Sequence, residues 1–377
     1  MAAIMTADAL GWTNGPVGGG AALVVGGILG YLLCHAVAAW FRSTGDAAIT
    51  PRLRLLVSVA AAAGAAGLWW WEVVAMGQIP RGISSGVPPA GNADLVLRCI
   101  AHVILFWLLA AATWIDFRQR VIPDWITLPG ALVGLAAAWI WPRFLLPVGV
   151  EVPRSFAAPA IQADVLGWYG GLHAATGGPF AAAPHVAGLG LAAAIFVAWW
   201  VVCTEPEEDG GILWLTPRNA ILVFGLVAVT VAWWGGTERF DALQTALVGL
   251  AVSGGLVWAT RAGASYALGK EAMGLGDVTL MAMVGAWLGW QACVLTFFLA
   301  TFIGLGHGLA QFLRHRDNEL PFGPSLCLAA ALVVVAWRPI WRVAALYFEQ
   351  PGQLTLVVAA VVVLTAVTLS GWRFLRG

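Results

Sequence analysis

Charge is scarce in this sequence. Only 10% of its 377 residues are charged against 60% hydrophobic, and the mean hydropathy is +0.85. Soluble domains carry about 25% charged residues, so a water-soluble globule is excluded. Neither sign is in excess: 19 basic residues face 19 acidic ones, which leaves no net field to recruit nucleic acid or a strongly acidic partner. The five cysteines, Cys34, Cys99, Cys203, Cys293 and Cys327, include no CxxC pair. That spacing excludes a disulfide framework or a cysteine-based zinc site and leaves them as small apolar residues of membrane helices. Residues 1–17 have no basic stretch and carry Asp8, so no cleavable signal peptide is read there. No internal repeat of fixed period is present.

What the chain has in abundance is apolar runs. About 20 residues are needed to cross ~30 Å of hydrocarbon as helix, and candidate runs fall at 19–41, 54–77, 95–115, 126–141, 185–203, 219–235, 242–260, 277–291, 292–312, 323–337 and 354–371. They predict an all-α, polytopic transmembrane bundle of about 11 spans, within a range of roughly 8–11. The runs 277–291 and 292–312 adjoin, as a hairpin or a broken helix. Twenty-two tryptophans suit a membrane protein, whose indole rings favour the headgroup interface. With the N-terminus outside, twelve Lys and Arg fall on inner loops and seven on outer ones, which places the C-terminus in the cytoplasm. The stretch 143–184, rich in Gly, Pro and Ala, reads as an external loop. The chain therefore divides into N-terminal spans at 1–94, a first acidic segment at 95–141, and an expansion at 142–240 with the external loop and two spans. A second acidic segment follows at 241–338, and a C-terminal span at 339–377.

Ionisable residues at membrane depth cost on the order of 3 kcal/mol each and are functional candidates by default. Two segments stand out: Asp116-Phe117-Arg118-Gln119-Arg120-Val121-Ile122-Pro123-Asp124 and Lys270-Glu271-Ala272-Met273-Gly274-Leu275-Gly276-Asp277. Charge counting puts Asp116 and Asp277 at the same, cytoplasmic, face. Two carboxylates about 3 Å apart cannot both ionise cheaply and share one proton. The ionised member can then take a proton from water while the other donates to a carbonyl. Gly274 and Gly276 would allow unusual backbone angles and close approach to Asp277, and Pro123 would stop the polar turn from continuing as helix. Plainer roles stand beside these: Asp277 as a helix cap, and Asp116 as an interfacial charge paired with Arg118 or Arg120. Glu72 reads as an interfacial residue, and His35, His102 and His307 as satisfied or cavity-facing histidines.

Trp114-Ile115-Asp116 through Ile122-Pro123-Asp124-Trp125-Ile126-Thr127-Leu128-Pro129 resembles the first aspartate motif of the bacterial prepilin peptidase family. Gly274-Leu275-Gly276-Asp277-Val278-Thr279-Leu280 resembles its GxGD motif, Val284-Gly285-Ala286-Trp287-Leu288-Gly289-Trp290-Gln291 is similar to the continuation, and Leu320-Pro321-Phe322-Gly323-Pro324 to its PFGP element. The four occur in the family's order. The resemblance implies a GxGD intramembrane aspartic protease fold with Asp116 and Asp277 as catalytic acids, Asp124 being the rival for the first position. It implies prepilin or pseudopilin substrates, cut between a basic leader and a hydrophobic helix, typically after Gly. It also implies a multi-pass protein of the bacterial inner membrane with its site at the cytoplasmic face, in contact with lipid and with pilus or secretion assembly proteins. Lys270 and Glu271 match residues common before GxGD and would steady the loop or touch substrate. No metal or cofactor is expected. Many members carry a loop after the first span with two CxxC pairs, a zinc arrangement, and methylate the new terminus with S-adenosylmethionine. The loop at about 42–53 has no cysteine, so methyl transfer is not expected. The rival class is a non-catalytic transporter or assembly scaffold of the same fold.

Overall fold

The computed structural model of the chain describes residues 16–46, 49–78, 92–147, 186–204, 217–234, 237–269, 271, 273–315 and 322–348. Among these, all regular structure is helical. In chain order the helices are α1 (Pro16–Ser43), α2 (Pro51–Trp69) with a π turn at Trp70–Val74, α3 (Asn92–Gln119), α4 (Asp124–Ile140), α5 (Val186–Cys203), α6 (Pro217–Trp234), α7 (Thr237–Leu268), α8 (Leu275–Leu288), α9 (Trp290–His315), α10 (Gly323–Val335) and α11 (Trp337–Phe348). A 3-10 turn at Pro142–Phe144 follows α4.

Five of these, α1, α2 with its π turn, α3, α7 and α9, are long and apolar enough to cross a membrane. The pair α10 and α11, bent by 88°, makes a sixth if taken as one broken span, and α4, α5, α6 and α8 are shorter apolar helices. The chain is a multi-pass membrane protein. Ten of the eleven expected runs correspond to helices, and the last, 354–371, lies outside the described residues. The adjoining runs at 277–312 resolve as two helices parted at Gly289, whose φ is +80°. The helix α11 was not expected as helix. Its four-residue pattern seats Trp337 and Trp341 inward, stacked 5.0 Å apart, and leaves Arg342 exposed.

The centre of the bundle is α8. Every residue from Asp277 to Leu288 in it is buried, and it packs against α3, α4, α7, α9 and α10. A 14-residue helix is about 21 Å long, too short to cross ~30 Å of hydrocarbon alone. Such a helix is tolerated where protein surrounds it on every side, which suits its apolar character all round. Small residues let its neighbour come close: a Cβ on Gly249 of α7 would lie 2.9 Å from Gly289 Cα and overlap the Gly285 carbonyl. Backbones approach in this way at membrane helix interfaces built from small residues.

One polar cluster is buried at the end of α10 away from Gly323. Glu72, in the π turn, is 2% exposed, and its Oε1 lies 2.8 Å from His102 Nδ1 of α3. Gln78 Nε2 donates to Glu72 Oε1 at 2.8 Å and to the Val334 carbonyl at 3.0 Å, while Trp71 Nε1 donates to the Val335 carbonyl at 2.9 Å. The last carbonyls of a helix lack intrahelical partners, and these side chains supply them for α10. Glu72 is therefore a buried, bonded group and not an interfacial one. Its sequence neighbours Trp69-Trp70-Trp71 suggested a membrane edge, and only the fold brings His102 to it.

Candidate active site

Four helix ends meet at the opposite end of α10. Asp116 stands in the last turn of α3. The helix stops at Arg120, whose φ of +56° lies in the left-handed region and whose N–H donates to the Asp116 carbonyl at 2.9 Å. A non-glycine residue pays about 1–2 kcal/mol for that conformation. Arg118 is taken up by Asp46, at 3.7 Å, and by the face of Phe41. Gln119 joins Trp40 and Thr44 of the α1 end through bonds of 2.6 and 2.7 Å. With its neighbours so engaged, the Asp116 side chain points inward and is 5% exposed. It is not the surface charge that one reading of the sequence allowed.

Pro123 occupies the N-cap position of α4 with φ −79° and ψ 142°, so the polar turn 120–123 does end where the proline's missing N–H and fixed φ predict. Ile122 and Pro123 are buried, while Asp124 begins α4 and is exposed. Asp124 is thus set apart from the buried acids.

Asp277 is in the first turn of α8 and is 8% exposed. The cap position there belongs to Gly274, which has extended backbone (φ −68°, ψ 155°). Asp277 is therefore not the helix cap. Neither Gly274 nor Gly276 is among the glycines with positive φ, so unusual backbone angles are not their use. Gly276 is needed for space: a Cβ there would lie 3.0 Å from Ile122 Cβ and 3.2 Å from the Ile122 carbonyl. Its lack of a side chain lets the start of α8 lie on the turn that follows Asp116.

The carboxylates of Asp116 and Asp277 interact electrostatically, and buried Cys327 of α10 lies within electrostatic reach of both. The Gly323 N–H donates to the Asp116 carboxylate. Among the described residues Asp277 has no such donor. Hydrogen bonds to a carboxylate favour its charged form and are the stronger for it.

The turn before α8 is held from α7. Arg261 Nε of α7 donates to the Met273 carbonyl at 2.8 Å, and its NH2 bonds Glu271, whose side chain is 66% exposed. Glu271 thus serves the loop through Arg261, and Lys270 lies outside the described residues. Nothing in the local sequence ties Arg261 to this turn, because Met273 lies twelve positions further on, across a helix end and a loop. Among the described residues no cluster of three or more His, Cys, Asp or Glu is placed to hold a metal ion.

A helical membrane bundle with two buried acids brought together at helix ends is the class of protein defined here. The chain belongs to the type IV leader peptidase family, whose model matches residues 103–202 and 213–309 and so runs through α5 and α6 as well as both acidic segments. Similar curated proteins are each called "Prepilin leader peptidase/N-methyltransferase". That of Pseudomonas aeruginosa is 41% identical over 157 residues, 35% of this chain and 53% of the relative. That of Aeromonas hydrophila is 30% identical over 158 residues, 41% of this chain and 53% of the relative. That of Burkholderia pseudomallei is 30% identical over 200 residues, 52% and 58% of the two chains. The chain thus spans little more than half the length of the curated relatives it matches. No solved structure is significantly similar to it.

Proposed function

We propose that the chain is an aspartic endopeptidase that cuts prepilins or pseudopilins between the basic leader and the hydrophobic helix, at the cytoplasmic face of the bacterial inner membrane. The observation that carries this reading is the pairing of Asp116 and Asp277. Each is buried, and they interact although they come from different helices far apart in sequence. Membership of the family and the names of its relatives support the substrate class.

The chemistry follows from asymmetry within the pair. Two like charges in a buried site hold one proton between them. Asp116, which receives the Gly323 N–H, suits the ionised role, and Asp277 carries the proton. Asp116 takes a proton from a water as its oxygen attacks the scissile carbonyl carbon, while Asp277 donates to the carbonyl oxygen. The tetrahedral diol then collapses: Asp116 returns its proton to the leaving amine, Asp277 recovers its own, and the C–N bond breaks. No acyl-enzyme forms. Pro123, Gly274 and Gly276 shape the turns that present the acids, Glu271 holds the preceding loop through Arg261, and Asp124 and Lys270 are assigned to shaping the site or contacting substrate.

Peptide cleavage without methyl transfer is part of the proposal. The connection between α1 and α2, residues 44–50, holds no cysteine, and all five cysteines are buried in helices. The test is co-expression with a prepilin and measurement of its size with the native chain and with Asp277→Asn. Shortening by the native chain alone supports the reading, and an unprocessed substrate with both defeats it.

A further inference from the structure

The helices α10 and α11 meet at 88°, and Pro339 accounts for the break. A helix continued through Ala336 would bond the N–H of residue 339 to the Val335 carbonyl. Proline has no N–H, and its ring collides with the carbonyl four residues back. The chain turns instead. The Val334 and Val335 carbonyls are taken by Gln78 Nε2 at 3.0 Å and Trp71 Nε1 at 2.9 Å. Helix α11 then starts afresh with Pro339 in its first turn, where no intrahelical N–H is needed.

The direction of α11 follows from that of α10. One end of α10 meets α3 at Asp116, through the Gly323 N–H. The other end meets it near His102, because Gln78 Nε2, which bonds the Val334 carbonyl, is 3.4 Å from His102 Nδ1. Asp116 and His102 are about 21 Å apart along α3, a helix long enough to cross a membrane. Helix α10 therefore runs alongside a span. At right angles to it, α11 lies in the plane of the membrane at the end away from the acids.

Three faces of α11 differ in chemistry. Trp337, Trp341 and Ala344 are buried against the bundle, with Trp337 Nε1 donating to the Pro147 carbonyl at 2.8 Å. Phe348 closes this face on Trp341 and Trp290, at 5.4 and 5.2 Å. Arg338 and Arg342, one turn apart, share a second face. Arg342 is exposed, and among the described residues neither arginine makes an ion pair or a side-chain hydrogen bond. Pro339 and Val343 form a third face, Val343 being 59% exposed. Water alone would leave this third face uncovered, and hydrocarbon alone would bury two cations. The headgroup boundary satisfies both, since phosphates and acyl chains are there within reach of one helix.

We infer that α11 is an interfacial helix, with Arg338 and Arg342 bound to phospholipid phosphates of the leaflet opposite Asp116 and Asp277, and the Val343 face resting on the acyl chains. A guanidinium matches a phosphate in both charge and shape, and a phosphodiester is the anion that every phospholipid carries. This role is separate from the proposed cleavage.

The test measures depth. All five native cysteines are buried, so Val343→Cys, at an exposed position, takes a single bimane label in the folded chain. The labelled chain is placed in vesicles of phosphatidylethanolamine and phosphatidylglycerol. Nitroxides on the headgroup or high on the acyl chain should quench the label more than nitroxides near the bilayer midplane. Quenching strongest from the midplane would make α11 half of a span, and quenching by aqueous iodide alone would put it off the membrane. Either result overturns the inference. Replacing both arginines, Arg338→Gln with Arg342→Gln, should shift the label toward the midplane nitroxides. Arg342→Gln alone gives the same reading if the double variant does not insert. A depth unchanged in the arginine variants would overturn the phosphate contacts.

Discussion

The backbone of Gly323 sits against the carboxylate of Asp116. Its N–H donates to that carboxylate, and a methyl group at 323 would overlap Oδ2 and lie 2.8 Å from Ile122 Cδ1. Glycine is the residue that permits this approach, because any Cβ would occupy the space the carboxylate needs. The start of α10 thereby fixes the end of α3, and the direction in which Asp116 faces depends on a helix roughly two hundred positions further along the chain.

Gly323→Ala should therefore lower kcat for prepilin cleavage by about 10- to 100-fold, on the scale of disturbing one preorganised donor, with a smaller change in KM. The protein should still insert and fold, as read by size-exclusion chromatography in detergent. A variant with native kcat would show that Asp116 does not depend on this contact.

Replacing either acid tests the proton-sharing pair proposed above. Asp116→Asn and Asp277→Asn should each lower the cleavage rate by about 10²- to 10⁴-fold while leaving expression and thermal stability in detergent near native. Asp124→Asn, on an exposed residue, should retain most of the activity. Near-native cleavage by either Asn variant of the pair would remove that residue from the chemistry.

The two glycines before Asp277 should differ in tolerance. At Gly276 a Cβ would press on Ile122 at 3.0 Å, whereas at Gly274 the nearest neighbour is 3.9 Å away. Gly276→Ala should cost more activity than Gly274→Ala in the same cleavage assay. Equal losses would point to flexibility, not spacing, as the use of both.

Arg261 should matter more than the acid it bonds. The pair with Glu271 is exposed, and such pairs contribute about 0–1 kcal/mol, so Glu271→Gln should be nearly silent. Arg261→Gln also removes the bond to the Met273 carbonyl and should reduce kcat/KM several-fold. The comparison is read from Michaelis profiles of the two variants in membranes.

At the far end of the bundle, Glu72→Ala would leave His102 Nδ1 and Gln78 Nε2 buried without their shared acceptor. A buried donor left unpaired costs about 1–3 kcal/mol, so the melting temperature in detergent should fall. Glu72→Gln, which keeps an oxygen acceptor and the shape, should fall less. The order of the two melting temperatures is the test.

Much of the candidate site was legible because its motifs are short and local. Asp116 and Asp277 stood out as acids beside long apolar runs, and Pro123 marked the end of its turn. His307, read as cavity-facing or satisfied, lines a cavity together with Phe297, Gly304 and Phe322. Glu72, by contrast, was misread, since an acid after three tryptophans looks like a membrane edge until His102 is placed against it. The uses of Gly276, Gly323 and Arg261 were not legible either, because each depends on a neighbour distant in sequence.

The sequence by itself determined that this is a helical membrane bundle and which acids deserved suspicion. Hydrophobic run length and the cost of charge at depth act residue by residue and need no knowledge of the fold. Tertiary structure decided which groups meet: that α8 lies at the centre, that Gly323 reaches Asp116, and that Glu72 and His102 come together in a buried cluster. Such contacts depend on helix packing at distances of a few ångströms, set by small residues and capped helix ends from separate parts of the chain. Hydropathy carries no record of them.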